Sequence, residues 1–264
     1  MTTNSPSAVP DVDPLDADLI AQLLGEWHVP WRDVIVVGVT GSTNADLAER
    51  VRAGSAPAGT VIAAAQQTAG RGRLGRSWSS PRGTLSFSVA LSPPEDAIAL
   101  VPLVMGIGVV EGLRQLTGID VVLKWPNDVQ IANGKVAGLL AERIGDQVVA
   151  GCGLNISLTA EELPVPTATS LSLHTPPPSR EQVLVACLSQ LARRVEEWDR
   201  GRIIAEYRTM CDTLGRSIVV RLPGGAELAG QALAIDSGGR LVVGAADGEH
   251  VIDAGDVEYV RTSL

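Results

Sequence analysis

One segment concentrates glycine and positive charge in a way that favours binding of an anion. Residues 66–78 read Gln-Gln-Thr-Ala-Gly-Arg-Gly-Arg-Leu-Gly-Arg-Ser-Trp and contain no acidic residue, although the chain has a net charge of −9. The glycines, Gly70 among them, let backbone N–H groups approach an anion closely. Arg71, Arg73 and Arg76 can pair with carboxylates or phosphates in fork geometry, and Trp78 could stack on a planar base. A solvated surface loop is the alternative, and the pattern matches neither a Walker loop nor a dinucleotide-binding motif.

Both lysines of the chain lie in a second segment. Lys124 opens Lys-Trp-Pro-Asn-Asp, which ends at Asp128, and Lys135 lies in Gly-Lys-Val-Ala-Gly, eleven positions after Lys124. The apolar run after Lys135 is typical of a buried strand, so a cation at its mouth indicates a specific anionic partner. Asp128 could hold Mg²⁺, which favours one or two carboxylates together with substrate phosphates. A plain turn at Asn127-Asp128 is the alternative.

Two further segments complete the candidate site. Ser42-Thr43-Asn44 precedes a helical pattern, so these residues cap the helix, line the lip of a ligand pocket, or do both. Gly151-Cys152-Gly153-Leu154-Asn155 reads as a strand whose glycines would let a ligand lie against the backbone, with a β-bulge as the alternative. The three histidines and three cysteines are scattered, so neither a metal site nor a nucleophile–base pair is indicated, and the odd cysteine count favours a reducing compartment.

Hydrophobic patterning indicates the elements that must position these segments. It predicts helices at 15–26, 45–51, 98–116, 183–198 and 203–211, and strands at 34–39, 60–65, 84–91, 120–124, 129–131, 135–143 and 147–157. Asn133-Gly134 marks a hairpin. From Leu214 onward, short strands alternate with glycine turns, which is typical of a small β-barrel. We therefore predict an α+β domain over residues 15–213, a barrel over residues 214–264 and a loose tail over residues 1–14.

Composition excludes several classes of protein. The chain has 264 residues, of which 45% are hydrophobic and 19% charged, as in ordinary globular proteins and unlike disordered or fibrous ones. The net charge of −9 argues against wholesale binding of DNA or an anionic membrane. The longest apolar run, at 97–110, is shorter than the roughly 20 residues of a spanning helix. Because the first residues lack the features of a signal peptide, the cytoplasm is the expected location.

Taken together, these segments resemble the biotin protein ligase family. The matching pieces follow the family's order and spacing; they are residues 42–44, Gln67 with residues 70–76 and Trp78, residues 124–128, 134–138 and 151–155. The resemblance implies a mixed β-sheet catalytic domain flanked by helices, similar to class II synthetases, followed by an SH3-like barrel. Only about 40 residues precede Ser42, which leaves no room for a winged helix, so the resemblance is to the monofunctional type.

The resemblance implies a two-step reaction. The carboxylate of biotin attacks the α-phosphate of ATP, in the presence of Mg²⁺, to give biotinyl-5′-AMP and pyrophosphate. A lysine amine in a biotin carboxyl carrier domain of an acyl-CoA carboxylase then attacks the adenylate and releases AMP. Water must be kept from the adenylate, so we expect residues 70–78 to order over it and to be disordered without ligand. We expect a monomer or a weak dimer.

The resemblance also implies the role of each site residue. Lys135, Arg71, Arg73 and Asp128 are the expected catalytic residues, with Asp128 also the expected Mg²⁺ ligand. The residues expected to bind biotin are Ser42, Thr43, Asn44, Gln67, Gly70, Arg71, Arg73, Lys135, Gly138 and Gly153. The residues expected to bind ATP and the adenylate are Arg71, Arg73, Arg76, Trp78, Asn127, Lys135 and Asn155.

Two other functions fit parts of this pattern. Lipoate–protein ligases share the adenylation chemistry and a related fold, although the Gly-Arg-Gly-Arg segment favours biotin. A non-catalytic biotin-sensing regulator would need the pocket but not the catalytic groups, and the presence of Lys135 and Asp128 favours an enzyme.

Overall fold

The structure is a computed structural model that describes residues 13–27, 31 and 33–260. The predicted tail therefore lies outside the described residues except for its last two positions. Seven strands form the first sheet: β1 (Asp33–Thr40), β2 (Thr60–Gln67), β3 (Thr84–Leu91), β4 (Val122–Lys124), β5 (Asp128–Ile131), β6 (Gly134–Ile144) and β7 (Gln147–Asn155). Their order is β1-β2-β3-β7-β6-β5-β4. The β1–β2 pair is parallel and the other five pairs are antiparallel, so the sheet is mixed.

Helices cover both faces of this sheet. The described helices are α1 (Ala17–Glu26), α2 (Thr43–Arg52), α3 (Val101–Thr117), α4 (Arg180–Val195) and α5 (Arg200–Met210). A small core beneath α2, including Leu47 and Ile62, fills one face, while α3 and α4 bury the larger core on the other. This arrangement confirms the predicted α+β class with a mixed, helix-flanked sheet. The stretch Glu95–Thr117 is long and apolar enough to cross a membrane by composition alone, but it is mostly buried within the fold, as the central helix of a globular core is.

Three helices, α3, α4 and α5, start three residues away from the predicted position, for local reasons. The helix predicted at 98–116 starts as a 3-10 turn, Glu95–Leu100, and becomes α-helical at Val101, next to Pro102, whose fixed φ suits a first helical turn. The hydroxyl of Ser179 accepts from the backbone N–H of Gln182 and so starts α4 earlier than the apolar pattern indicates. Asp199 caps α5 in the same way. Hydrophobic spacing locates the helix body, whereas the polar caps set its first residue.

The C-terminal region forms a second, antiparallel sheet. Its strands are β8 (Ser217–Arg221), β9 (Glu227–Ile235), β10 (Leu241–Ala245), β11 (Gly248–Ile252) and β12 (Asp256–Tyr259), in the order β11-β10-β9-β8-β12. In the described part of the chain, the outer strands β11 and β12 do not pair with each other, so the predicted barrel is a five-stranded sheet without hydrogen-bonded closure. Its buried face joins the main core.

Trp125 joins the second sheet to the first. Its side chain is buried, and its indole Nε1–H donates to the carbonyl of Gly239, which precedes β10, at 3.0 Å. The backbone N–H of Trp125 donates to the hydroxyl of Thr213, also at 3.0 Å. A buried indole N–H left without such a partner would cost about 1–3 kcal/mol, so these bonds stabilise the position of the side chain. The segment that carries Asn127 and Asp128 therefore begins at a residue that the C-terminal region holds in place.

The contact between α3 and α4 yields a test of the packing. A Cβ at Gly112 would lie 2.8 Å from the backbone nitrogen of Cys187, and backbone cannot move aside as a side chain can. We expect Gly112→Ala to lower the free energy of unfolding, measured by urea denaturation, by about 1–3 kcal/mol. The control is Gly25→Ala in the last turn of α1, where no atom of the described residues lies within 4 Å of the new methyl group. That variant should be neutral or more stable by up to ~1 kcal/mol. Equal stability of the two variants would contradict the close helix contact.

Candidate active site

A cavity of about 550 Å³ lies over β6 and β7, beneath the glycine- and arginine-rich loop. Of the predicted site residues, those that line it are Ser42, Thr43, Asn44, Gln67, Arg71, Arg73, Arg76, Trp78, Asn127, Asp128, Lys135, Gly138, Gly153 and Asn155. Gly70 does not line the cavity. It is buried at the base of the loop, where its carbonyl accepts from the backbone N–H of Trp78 at 2.8 Å. The fold thus brings together segments that lie more than a hundred residues apart in the chain.

Hydroxyl and amide groups at the start of α2 form one end of the cavity. Ser42 caps the helix by accepting from the backbone N–H of Ala45, and it also lines the cavity; its contact with a ligand stays a prediction. The backbone N–H and hydroxyl of Thr43 donate to Oε1 of Gln67, at 2.8 and 3.2 Å. The amide of Gln67 donates onward to the hydroxyl of Ser80 at 3.2 Å. These bonds fix the side chain of Gln67 at the end of β2.

Asn44 extends this network toward β3 and β6. Its Oδ1 atom accepts from the hydroxyl of Ser88 at 2.6 Å, and its Nδ2 atom donates to the carbonyl of Leu140 at 3.3 Å. A Cβ at Gly151 would overlap with Oδ1 of Asn44, so the glycine makes room for the amide. Because Thr43, Asn44, Ser80 and Ser88 are buried and hydrogen-bonded within this network, their orientations are well determined.

Paired glycines form the floor of the cavity. Gly138 on β6 lies directly opposite Gly153 on β7, in an antiparallel register that continues without a bulge along this pair. The strand therefore follows the prediction, and the β-bulge alternative at residues 151–155 is wrong. The indole of Trp78 lies on this floor: a Cβ at Gly138 would be 3.0 Å from its Cζ3 atom, and one at Gly153 would overlap with its Nε1 atom. That Nε1–H group is buried with no hydrogen-bond partner in the structure.

A lysine and a carboxylate face each other beside Trp78. The Nζ atom of Lys135 lies 2.6 Å from Oδ1 of Asp128 and 5.5 Å from the centroid of the Trp78 ring. Asp128 begins β5, and its position opposite Gly138 in the β5–β6 pairing leaves room for the lysine side chain. An ammonium held between a carboxylate and an aromatic face keeps a fixed position while still offering N–H donors to a third group.

The loop arginines reach three different elements. Arg71 pairs with Glu142 on β6 at 2.8 Å, and Arg76 pairs with Asp256 on β12 at 2.8 Å. Arg73 donates to Oδ1 of Asn127 at 3.3 Å. The loop itself is a short hairpin in which the backbone N–H of Gly72 donates to the carbonyl of Arg76 at 2.7 Å. The structure thus places the loop over the cavity, and its disorder without ligand stays a prediction.

Two half-buried cations near the site make no ion pair within the described part of the chain. Burial lowers the pKa of Arg73 and that of Lys124, because partial loss of water disfavours the charged forms. Among the described residues, neither side chain makes an ion pair; Lys124 instead lies 5.1 Å from the ring centroid of Tyr259 on β12. The charges of Asp128 and Asp256 offset only part of this loss of water, so an anion bound nearby would stabilise both cations.

Several residues in and around the site are not among those predicted from the sequence. The serines of β3 alternate with apolar residues, so their common face was a usable signal. No local pattern marked Glu142, Asp256 or residues 164–168, a loop segment that forms a further wall of the cavity. That wall is fixed by pairing with β6: the backbone N–H of Lys135 donates to the carbonyl of Thr167 at 2.8 Å, and Lys135 accepts from Thr169 at 2.9 Å.

The glycine floor yields a second test. Gly153→Ala should displace the indole of Trp78, because the new methyl group would occupy the position of its Nε1 atom. We expect a changed fluorescence emission of Trp78, which is isolated by subtracting the spectrum of Trp78→Phe. The free energy of unfolding should fall by about 1–3 kcal/mol, so that the protein still folds. An unchanged Trp78 emission in a folded Gly153→Ala protein would contradict the placement of the ring.

Comparison with known proteins identifies two family segments. Residues 36–155 match the model of the "Biotin/lipoate A/B protein ligase family", and residues 213–259 match that of the "Biotin protein ligase C terminal domain". The first match contains the polar end, the glycine floor, both lysines and the arginine loop. The second covers the five-stranded sheet that holds Trp125 and Arg76.

Whole-chain comparisons agree with these matches. The chain is 37% identical over 258 residues to the biotin–[acetyl-CoA-carboxylase] ligase of Mycobacterium tuberculosis, covering 94% of this chain and 97% of that protein. A biotin protein ligase from Aquifex aeolicus, solved in complex with biotin and ATP, superposes with a TM-score of 0.74 and 29% identity over 88% of this chain and all of the other. A Leishmania major biotin protein ligase in complex with biotinyl-5-AMP gives a TM-score of 0.63 at 25% identity, over 87% of this chain and 99% of the other. These matches include the segments that form the cavity, and they show that the chain belongs to the biotin protein ligase family.

Proposed function

We propose that this chain is an ATP-dependent ligase that activates biotin as biotinyl-5′-AMP and transfers it to a specific lysine of a biotin carboxyl carrier domain. The observation that carries the proposal is the position of Lys135. It lines the same cavity as the neutral hydrogen-bonding groups at the start of α2 and the arginines of the loop. A small molecule with a polar ring, an apolar chain and a terminal carboxylate suits such a pocket. The names of the relatives support biotin over lipoate.

Biotin would enter with its ureido ring toward the start of α2. Ser42, Thr43, Asn44 and Gln67 offer hydroxyl and amide groups there. The ring and chain would lie along β6 and β7 beside Trp78, whose indole covers the backbone of Gly138 and Gly153. The carboxylate would then lie near Lys135, as the family resemblance implies. ATP would bind beyond it, with the adenine near Trp78 and Asn155 and the phosphates near Asn127 and the loop arginines.

The first step brings two anions together. A carboxylate oxygen of biotin forms a bond to the α-phosphorus of ATP, the bond from that phosphorus to the bridging oxygen breaks, and pyrophosphate leaves with the electron pair. Catalysis of phosphoryl-group chemistry rests mainly on positioning and charge stabilisation. Lys135, Arg71 and Arg73 would supply the positive charge, with Lys135 held in place by Asp128 at 2.6 Å.

Mg²⁺ fits this site as an ion carried largely by ATP. Asp128 offers one carboxylate, and the described residues contain no group of three or more His, Cys, Asp or Glu side chains placed to hold a metal ion. One protein carboxylate together with substrate phosphates is a usual set of ligands for Mg²⁺. When bound, the ion would neutralise phosphate charge; Asp128 would hold it and orient Lys135.

The second step transfers the biotinyl group to a lysine. The neutral amine of the carrier attacks the carbonyl carbon of the adenylate, and the bond from that carbon to the phosphate oxygen breaks. AMP leaves with the electron pair, and the nitrogen releases one proton as the amide forms. The hairpin of residues 70–78 would exclude water until the carrier arrives. The acceptor we propose is the carrier domain of an acyl-CoA carboxylase, and we expect the reaction in the cytoplasm, by a monomer or a weak dimer.

Isotope exchange between ATP and pyrophosphate tests the first step directly. With Mg²⁺ present and no carrier, we expect exchange that depends on biotin and does not occur with lipoate in its place. Exchange with lipoate alone would retain adenylation and overturn the substrate. Biotin binding without exchange would indicate a non-catalytic biotin sensor and contradict the roles of Lys135 and Asp128.

Lys135→Ala separates catalysis from stability. We expect kcat/KM for adenylation to fall at least about a hundredfold, as for loss of a group that stabilises transition-state charge. Since the side chains of Lys135 and Asp128 are both partly exposed, the free energy of unfolding should change by no more than ~1 kcal/mol. A large loss of stability with normal activity per folded molecule would contradict the assigned role.

A further inference from the structure

Glu142 joins two parts of the site without lining the cavity itself. It lies on β6, and its two carboxylate oxygens have different partners: Oε1 accepts from Nη2 of Arg71 at 2.8 Å, and Oε2 accepts from Nδ2 of Asn44 at 3.2 Å. Arg71 belongs to the loop above the phosphate end, whereas Asn44 belongs to the polar network at the other end. One side chain therefore contacts both the loop and the polar network at the start of α2.

The orientation of Asn44 depends on this contact. Its Oδ1 atom faces the donor hydroxyl of Ser88 at 2.6 Å, while its Nδ2 atom faces two acceptors, the carbonyl of Leu140 and the carboxylate of Glu142. Rotation of the amide by half a turn would place an oxygen against both acceptors. The carboxylate thus keeps the amide facing one way, and the amide in turn restrains the carboxylate.

The contact with Arg71 is too exposed to be explained by stability. The side chain of Arg71 is 50% exposed and that of Glu142 is 25% exposed. Such pairs contribute little to folding. The same exposure makes the pair easy to form and to break, which suits a contact that holds a loop in one of its positions. If the carboxylate of Glu142 were held more firmly, its pair with Arg71 would be formed for a larger fraction of the time, and the loop would stay over the cavity for longer.

We infer that Glu142 is a positioning residue that couples the polar end of the pocket to the loop of residues 70–78. The inference rests on the proposed function, because it requires biotin to bind beside Asn44. Biotin that restrains Asn44 restrains Glu142, which in turn restrains Arg71 and draws the loop over the site. By thermodynamic linkage, a closed loop favours biotin to the same degree. The pocket thereby closes in response to biotin and retains the adenylate.

Glu142→Gln separates the two contacts. The amide oxygen of glutamine can still accept from Asn44, but the negative charge that holds Arg71 is lost. We expect the Kd for biotin to stay within about threefold of the wild-type value, while release of free biotinyl-AMP, measured per pyrophosphate formed, rises about tenfold. Glu142→Ala removes both contacts and should also weaken biotin binding about tenfold. Combining Glu142→Gln with Arg71→Ala should release no more adenylate than Arg71→Ala does.

Trypsin cleavage after the loop arginines reports the coupling without any catalytic step. Biotin alone should slow cleavage of the wild-type loop, and it should slow cleavage of the Glu142→Gln loop by about threefold less. The matched control is Glu95→Gln, which removes a carboxylate from an exposed pair with Arg143, the neighbour of Glu142 on β6, at 3.0 Å. That variant should behave as the wild type in both assays.

The outcomes distinguish this inference from the proposed function. Absence of biotin-dependent pyrophosphate exchange in the wild-type protein would overturn the proposed function. Normal exchange with equal loop protection in wild-type and Glu142→Gln proteins would overturn the role of Glu142, as would additive adenylate release in the double variant. If Glu142→Gln does not fold, Glu142→Asp, whose shorter side chain cannot hold both partners, is measured in the same way and judged by the same criteria.

Discussion

The absence of side chains at two facing positions of the sheet determines how the site is built. Gly138 and Gly153 expose bare backbone between β6 and β7, and the indole of Trp78 lies directly on it. This contact holds the end of the arginine loop, sets the face against which Lys135 rests and defines the depth of the cavity. A larger residue at either position would raise the ring and with it the loop, so the other interactions of the site depend on this close approach.

Most cations of the site pair with carboxylates of the protein, and a bound anionic substrate would replace or share these carboxylates. Arg71 and Arg76 have carboxylate partners on the sheets, and Lys135 has Asp128, whereas Arg73 and Lys124 have none among the described residues. Half-exposed ion pairs can be exchanged at little cost, and partly desolvated cations gain most from a new anion. The arrangement therefore keeps several cations close together in the folded protein, which is a requirement for bringing a carboxylate and a triphosphate into contact.

Much of this site could be predicted because its chemistry resides in short segments of unusual composition. The glycine–arginine loop, the two lysines and the paired glycines were visible in sequence, and hydrophobic periodicity located the strands that carry them. The partners could not be predicted in the same way. Glu142 and Asp256 are ordinary acidic residues at partly exposed strand positions, and only the pairing of strands brings them to the arginines. The sequence predicted a closed barrel where the strands form an open sheet, for a similar reason. Short strands and glycine turns fit a closed and an open sheet equally well.

The bond between Trp125 and Gly239 limits how freely the two parts of the protein can be exchanged in evolution. A C-terminal sheet taken from another protein would have to present a carbonyl at the same place, or the indole N–H would be buried without a partner. The conformation of the turn before β10 is therefore constrained by a tryptophan in the turn between β4 and β5. The two sheets are expected to vary together across relatives, and recombination between distant ones should succeed only when this turn and the Trp125 segment are inherited from the same parent.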